Sequence, residues 1–151
     1  MKRNLATLLA CFTAILFLCP SCDEKDNQDP PPKTKTELIT TGTWRFGSAT
    51  WGTTDAGPIL PACNKDNTMV FALSSGTLDE GPTKCNAGDP QTVPFTWSFQ
   101  SSETILTISN PLFTGGSNSW TLVTLTEAEL TVSQPLTFGG TTKTLIVTFI
   151  H

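Results

Sequence analysis

Few residues of this 151-residue chain have the types and spacing that chemistry requires. His151 is the one histidine, so a Ser-His-Asp or Cys-His arrangement would have to be built at the end of the sequence. Asp79 and Glu80 are adjacent, and in an extended chain neighbouring side chains face opposite sides, so these carboxylates cannot act as a pair. Neither G-x-x-x-x-G-K-[ST] nor G-x-G-x-x-G is present, which excludes the common nucleotide-binding loops. We therefore expect a protein that is not an enzyme, with no catalytic residues and no cofactor.

Three side chains with oxygen atoms lie close together at Asn64, Asp66 and Asn67, and oxygen atoms are the ligands that Ca²⁺ prefers. Their spacing matches no recognised calcium-binding loop, and the usual density of negative charge is missing. We expect Asp66 to cap a turn instead, and we predict no metal site.

The first 21 residues have the pattern of an export signal. Lys2 and Arg3 form a positive segment, and the following 15 residues, 5–19, are interrupted only by two threonines. A transmembrane helix needs about 20 apolar residues, so an N-terminal membrane anchor is the less favoured alternative. We therefore assign residues 1–21 to a signal peptide that the mature protein lacks.

The end of this signal reads Cys19-Pro20-Ser21-Cys22, and acidic residues follow it. With small Ser21 before Cys22, it resembles a bacterial lipoprotein signal, in the looser form found in Bacteroidetes-type bacteria. The preceding residues depart from the usual Leu-small-small pattern, and Cys19 is a poorer candidate because bulky Leu18 precedes it. The resemblance implies cleavage before Cys22 and lipidation of that residue. Three acyl chains would anchor the protein stably to a membrane.

Residues 23–32, D-E-K-D-N-Q-D-P-P-P, cannot contribute to a core, and their prolines favour an extended chain of about 3.1 Å per residue. We therefore predict that residues 22–35 form a lipidated, flexible tether. Acidic residues directly after a lipidated cysteine resemble the surface-export signals of Bacteroidetes lipoproteins. This resemblance implies an outer-membrane lipoprotein of the bacterial cell envelope, exposed at the cell surface. The alternative is a tether that faces the periplasm.

The charge of the chain excludes another class of function. Removal of Lys2 and Arg3 with the signal changes the net charge from −4 to −6. No cluster of basic residues remains, so we expect no binding to nucleic acid.

Two cysteines remain in the mature protein besides Cys22, namely Cys63 and Cys85. In an exported protein an even pair of cysteines most often forms a disulfide. A zinc site would lack further ligands, and neither cysteine has the C-x-x-C spacing. We therefore predict a disulfide between Cys63 and Cys85.

Short β-rich runs separated by turn residues fill the predicted domain, residues 36–151. Before them, Thr34-x-x-Glu37 is a capping-box pattern that predicts a short helical turn. Phe95, Trp97 and Phe99 alternate with polar residues, which indicates a strand with one buried face. Eight strands are predicted, at residues 43–51, 68–73, 76–79, 94–100, 103–109, 119–125, 129–134 and 143–150. Most joins are hairpin-like, and closure of the sheet removes its edges, so we predict an all-β, eight-stranded, antiparallel up-and-down barrel.

The helical turn followed by Gly42-Thr43-Trp44 looks like the G-x-W start of lipocalins. Over about residues 36–151 the domain resembles the lipocalin-like domains of small Bacteroidetes lipoproteins. The matching motifs are G-T-W-R-F at 42–46, C-N-K-D-N-T-M-V-F at 63–71, S-G-T-L-D-E-G at 75–81, F-T-W-S-F at 95–99 and L-x-V-x-F at 145–149. The resemblance implies a lipocalin-like barrel and a disulfide, in agreement with Cys63 and Cys85. In one departure, lipocalins place an arginine near the end of the last strand over the tryptophan, whereas this strand carries only Lys143, at its start.

Aromatic side chains are the remaining candidates for function. Seven are predicted to line the barrel and to contact a ligand: Trp44, Phe46, Phe71, Phe95, Trp97, Phe99 and Trp120. Either they fill the barrel, or they leave space for one small hydrophobic or amphipathic molecule. The resemblance favours a membrane-anchored envelope lipoprotein that binds such a ligand. The alternative is a filled barrel that acts as an envelope protein-protein interaction subunit, with an exposed apolar patch around Trp51 or Phe113.

Overall fold

The structure, a computed structural model, describes residues 30–113 and 115–151. The predicted signal peptide (1–21), the lipidation site Cys22 and tether residues 23–29 lie outside the described residues. Residues 32–151 form one structural unit that contains the whole described core, from Ile39 to Phe149, so this segment carries its own fold. The described part of the chain has no helix with the length and apolar character of a membrane span.

One short helix, α1 (Lys35–Ile39), precedes the strands in the described part of the chain. The strands are β1 (Trp44–Trp51), β2 (Thr54–Asp55), β3 (Thr68–Phe71), β4 (Ser75–Asp79), β5 (Thr92–Gln100), β6 (Ile105–Ile108), β7 (Ser119–Leu125), β8 (Glu129–Phe138) and β9 (Thr141–Ile150). A 3₁₀ turn, Ala62–Asn64, lies between β2 and β3. All eight predicted strands are present, and the two-residue β2 is an addition that the sequence did not predict.

The strands close into a barrel. From β3 to β9 each strand pairs antiparallel with the next, and β1 pairs with β3 on one side and β9 on the other. Strand β2 pairs only with the end of β1, and the β1–β9 register shifts between Phe46 and Ser48. The predicted eight-stranded antiparallel up-and-down barrel with a short N-terminal helical turn is therefore confirmed.

Strand β8 runs four residues beyond its predicted end at Gln134. Pro135 follows Gln134, and proline ordinarily ends a strand because it has no N–H to donate. Here Pro135 pairs with Thr144 of β9, and the pairing of β8 with β7 reaches only as far as Ser133 and Thr121. On the β7 side, Pro135 lies beyond the ladder, so its missing N–H leaves no strand hydrogen bond unmade.

The two ends of the barrel differ in their connections. The helix end carries α1 and the short turns that follow β3, β5 and β7. The loop end carries the segments that connect β2 to β3, β4 to β5 and β6 to β7, at residues 56–67, 80–91 and 109–118. Long loops held on a rigid barrel are the usual place for binding residues. Functional residues are therefore expected first at the loop end.

The alternation predicted for the strands is confirmed in the core. On β5, Phe95 and Trp97 are buried and Phe99 packs against the core at partial exposure. On β9 the buried residues are Leu145, Val147 and Phe149. Each such side chain stabilises the fold by about 1.5–3 kcal/mol when it leaves water. The interior is therefore held together by the inward-facing half of each strand.

Helix α1 closes the helix end. Its predicted capping box is present, because the Glu37 N–H donates to Thr34 Oγ1 at 3.2 Å and the Thr34 N–H donates to Glu37 Oε2 at 2.7 Å. The bonds that Glu37 Oε2 accepts from the Thr34 N–H and, at 2.8 Å, from Thr34 Oγ1 lower the pKa of Glu37. The last helical residue, Ile39, is buried, and its carbonyl oxygen accepts a 2.8 Å bond from Trp44 Nε1. The helical turn and the first strand are thereby joined at the G-x-W motif.

Candidate functional site

The seven aromatic residues predicted to line the barrel occupy different parts of it. Four of them form a chain of edge-to-face contacts, with ring centroids 5.2–5.5 Å apart: Phe71, Phe95, Trp97 and Phe99. Trp44 and Trp120 are fully buried, and Phe46 is partly buried against the core. Aromatic pairs of this geometry contribute about 0.5–1.5 kcal/mol beyond the burial of area. The structure thus brings four of the seven together and places Trp44 at the helix end.

The buried tryptophans differ in whether their indole N–H has an acceptor. Trp97 Nε1 donates to the carbonyl oxygen of Ala72 at 2.7 Å, and Trp44 Nε1 donates to that of Ile39. The Nε1 of Trp120 has no acceptor among the described residues. A buried donor without a partner destabilises a fold by about 1–3 kcal/mol, so Trp120 stands out as a functional candidate.

Phe113 is the neighbour of Trp120 in the barrel, a position that the sequence pattern did not predict. It lies in the segment between β6 and β7, yet only 5% of its surface is exposed. Its ring meets Trp120 edge-on, with centroids 5.9 Å apart. The interaction hypothesis predicted an exposed apolar patch around Phe113, and for this residue the prediction is wrong. The signal in the sequence was the apolar pair Leu112 and Phe113 within a loop otherwise built of Gly, Ser, Asn, Pro and Thr.

Phe113 separates the interior from two clefts at the loop end. A void of about 10 Å³ lies against Phe113 and includes Met69, Leu78 and Phe149 in its lining. Such a volume holds at most about one water molecule. Two larger clefts, of about 210 and 180 Å³, also touch Phe113. The smaller one is a mainly apolar groove, and we call it the rim groove; it is lined by Ile59, Leu60, Pro61, Asn64, Phe113, Leu136, Thr137 and Phe138.

Gln134 is the second polar side chain beneath this loop. It is 3% exposed and lies on β8 one position beyond the last β7–β8 pair, Ser133 with Thr121, as Trp120 does on β7. Its Oε1 accepts a 2.6 Å bond from the Ser117 N–H, while its Nε2 has no acceptor among the described residues. Two neighbouring interior positions therefore both carry a neutral N–H donor that is left without a described partner.

The predicted disulfide is present at the loop end. Cys63 and Cys85 are bonded, with 5.1 Å between their Cα atoms. It joins the β2–β3 segment to the β4–β5 segment. Asp66 strengthens the same connection, because its Oδ2 accepts a 2.9 Å bond from the Thr83 N–H. Asp66 thus links two loops rather than capping its own turn. One side of the loop end is held in place by these bonds.

The carboxylate of Asp79 lies at the same rim, where residues of the following loop donate hydrogen bonds to it. Its Oδ1 accepts bonds from the Gly81 N–H at 2.9 Å and from Gln91 Nε2 at 2.8 Å. These bonds, first that from Gly81, lower the pKa of Asp79. Within residues 30–113 and 115–151, no three His, Cys, Asp or Glu side chains are grouped as metal ligands would be. At the rim, Asp66 and Asp79 therefore accept hydrogen bonds from residues of the loops.

Trp51 lies at the loop-end rim on the inward-facing side of β1, because it pairs with buried Leu145 and packs against the core at partial exposure. Its Nε1 donates to the carbonyl oxygen of Leu136 at 3.0 Å, and Lys143 Nζ lies 4.4 Å from the centroid of its ring. Phe138 meets it edge-on at 6.1 Å and is 53% exposed. The lysine noted in the last strand therefore covers Trp51 and not the G-x-W tryptophan. Phe138, which also lines the rim groove, and Trp51 form a small apolar surface at the mouth of the barrel.

Comparison of the chain with models of known protein families gives no match, and comparison with curated protein sequences also gives none.

Proposed function

We propose that this protein is a membrane-anchored lipoprotein of the bacterial outer membrane whose barrel binds a small hydrophobic or amphipathic molecule, without catalysis. The observation that carries the proposal is the position of Phe113. A buried aromatic ring closes the loop end of an eight-stranded barrel, and an apolar groove of about 180 Å³ leads to that ring. Apolar pockets with a few polar groups at a barrel mouth are typical small-molecule sites.

The shape of the loop end supports binding there rather than at the helix end. Helix α1 and short turns cover the helix end, where Ile39 and Trp44 are fully buried. At the loop end the disulfide holds the β2–β3 and β4–β5 segments together. The β6–β7 segment carries Phe113 into the barrel. A ligand would reach the interior by taking the place of this ring.

Native mass spectrometry of residues 32–151, exported through an oxidising compartment, tests ligand binding. We expect a reproducible small-molecule adduct that is lost on extraction with organic solvent, or that forms on incubation with envelope lipid extract. The Phe113→Trp variant fills the same position with a larger ring and should lose the adduct. The matched variant Leu73→Trp, at an exposed position in the turn after β3 at the helix end, should retain it. A protein that stays unliganded in both preparations contradicts the proposal.

The lipid anchor has its own test in the full chain. Cys22→Ala should move the protein from the membrane fraction to the soluble or unprocessed fraction and abolish incorporation of labelled fatty acid. Cys19→Ala, a control three residues away, should leave both unchanged. Protease treatment of intact cells then distinguishes a surface-exposed domain from one that faces the periplasm.

A second function, docking of an envelope protein, is favoured by one observation: Phe138 is half exposed beside Trp51. Exposed aromatic residues at a rim are common in protein interfaces. Crosslinking in cells followed by purification should then recover one partner, and Phe138→Ser should abolish it. Retention of the partner by this variant would exclude Phe138 as the contact.

A further inference from the structure

The polar groups inside the loop end indicate what kind of molecule the barrel takes. Trp120 is fully buried and Gln134 is 3% exposed, and both side chains point into the barrel from neighbouring positions of β7 and β8. The indole Nε1 and the amide Nε2 are N–H donors with no acceptor among the described residues. Buried donors are nearly always paired in folded proteins. Two such donors at neighbouring positions therefore point to an acceptor that a bound molecule brings.

The segment that carries Phe113 lies directly over these donors. The Phe113 ring is in edge-on contact with Trp120. Gly116 is so close to Gln134 that a Cβ atom there would lie 2.8 Å from Nε2. The Gly116 N–H also donates to the carbonyl oxygen of Phe113 at 2.9 Å, which folds this segment back on itself. Phe113 thus supplies the apolar contact at this position but no acceptor for the side-chain donors.

The charge of the surroundings decides between two kinds of acceptor. Among the described residues the buried polar or charged side chains are Thr131 and Gln134, so no lysine or arginine lies in the interior. A carboxylate buried without a cation is strongly disfavoured, whereas a neutral carbonyl needs only N–H donors. The interior donors therefore suit an uncharged oxygen atom.

We propose that Trp120 and Gln134 form the polar end of a ligand site for a molecule with an apolar body and one uncharged carbonyl oxygen, and that Phe113 fills this site when no ligand is bound. This inference rests on the proposed function and specifies the ligand class for the same barrel. The carbonyl oxygen accepts from Trp120 Nε1 and Gln134 Nε2, and the apolar body takes the place of the Phe113 ring. A longer apolar chain extends into the rim groove.

Three small molecules of similar shape, tested with residues 32–151, separate the contribution of the carbonyl oxygen from that of the apolar body. Acetophenone has a phenyl ring and a carbonyl, isopropylbenzene has the same outline without an acceptor, and benzoate carries a charge. In the Phe113→Ala variant we expect acetophenone to bind at least tenfold more tightly than either of the other two, as measured by calorimetry. The wild-type protein should bind acetophenone at least tenfold more weakly than this variant, because its own ring occupies the site. Phe99→Ala, the same truncation at the helix end, should show no preference for the carbonyl.

Removal of each donor in the Phe113→Ala background completes the test. Gln134→Leu should reduce the affinity for acetophenone about fivefold to tenfold and leave that for isopropylbenzene unchanged. Gln100→Leu, at an exposed glutamine of β5, should change neither. Trp120→Phe is the second variant, since it keeps an aromatic ring and removes only the N–H. In ¹⁵N spectra, acetophenone should shift the indole N–H resonance that this variant identifies.

Equal binding of acetophenone and isopropylbenzene by Phe113→Ala would overturn the inference, as would an unchanged acetophenone affinity in both donor variants. The failure of the proposed function has a different signature. If the wild-type domain carries a native adduct that Gln134→Leu retains, ligand binding stands and the assignment of the donors is wrong. If no native adduct forms at all, the proposed function itself is wrong.

Discussion

The imidazole ring of His151 stacks on the indole ring of Trp44, with 3.9 Å between the ring centroids and 33° between the ring planes. His151 Nδ1 also donates to the carbonyl oxygen of Thr43 at 3.1 Å. The side chain that covers the G-x-W tryptophan thus comes from the residue directly after β9.

The contact between these two rings predicts a contribution to stability. We expect His151→Ala to lower the free energy of unfolding by about 0.5–1.5 kcal/mol, the range measured for aromatic pairs. His151→Phe should retain most of that energy, because it keeps a ring over Trp44. Urea denaturation of residues 32–151, followed by tryptophan fluorescence, measures both. Equal losses in the two variants would show that the hydrogen bond to Thr43, and not the stacking, supports this end.

The disulfide predicts a larger effect at the loop end. Cys63 and Cys85 are 22 positions apart, and a loop of this length corresponds to about 3 kcal/mol in the chain-entropy model. The Cys63→Ser/Cys85→Ser double variant should therefore unfold at a lower urea concentration. A reducing agent should destabilise the wild-type protein to the same extent and leave the double variant unchanged. An unaffected wild-type midpoint under full reduction would contradict this prediction.

A close approach between two strands predicts that Gly76 cannot be replaced. Gly76 pairs with Phe95 across β4 and β5, and a Cβ atom at Gly76 would overlap the Phe95 ring and lie 2.6 Å from the carbonyl oxygen of Val70. Gly76→Ala should therefore destabilise the protein by about 1–3 kcal/mol, as overpacking of a core does. Gly88→Ala is the control, because no atom lies within 4 Å of a Cβ there. Thermal unfolding compares the two, and equal melting temperatures would disprove the close approach.

The hydrogen bonds to Asp79 predict a dependence of stability on pH. Because Gly81 and Gln91 lower the pKa of Asp79 in the folded protein below its ordinary value of 3.8, folding favours the ionised form. This stabilisation is complete above pH 3.8 and is lost as the pH falls through the lowered pKa. The free-energy difference between wild type and Asp79→Asn should therefore be largest near neutral pH and should narrow in acid. A difference that stays constant down to pH 2 would contradict the assignment.

The hydrogen bonds of Asp79 also show a feature that the sequence pattern could not predict. The sequence identified Asp79 and Glu80 as adjacent carboxylates that cannot act as a pair, but it did not show that the donors to Asp79 are Gly81 and, twelve positions away, Gln91. Only the folded β4–β5 segment brings Gln91 to it. Similarly, the apolar pair at Leu112 and Phe113 was visible in the sequence, but its position in the fold was not.

The sequence alone determined eight of the nine described strands, the helical turn and the cysteine pair. Alternation in β5 and the capping box at Thr34 are local patterns, since each depends on residues that are neighbours in the chain. The closure of the barrel decided the rest, because it brings together residues that lie far apart in sequence. The contact of His151 with Trp44, the burial of Phe113 against Trp120 and the position of Gln134 beneath it arise in this way. No periodicity encodes which loop enters a barrel, and that choice is made by packing within the closed barrel.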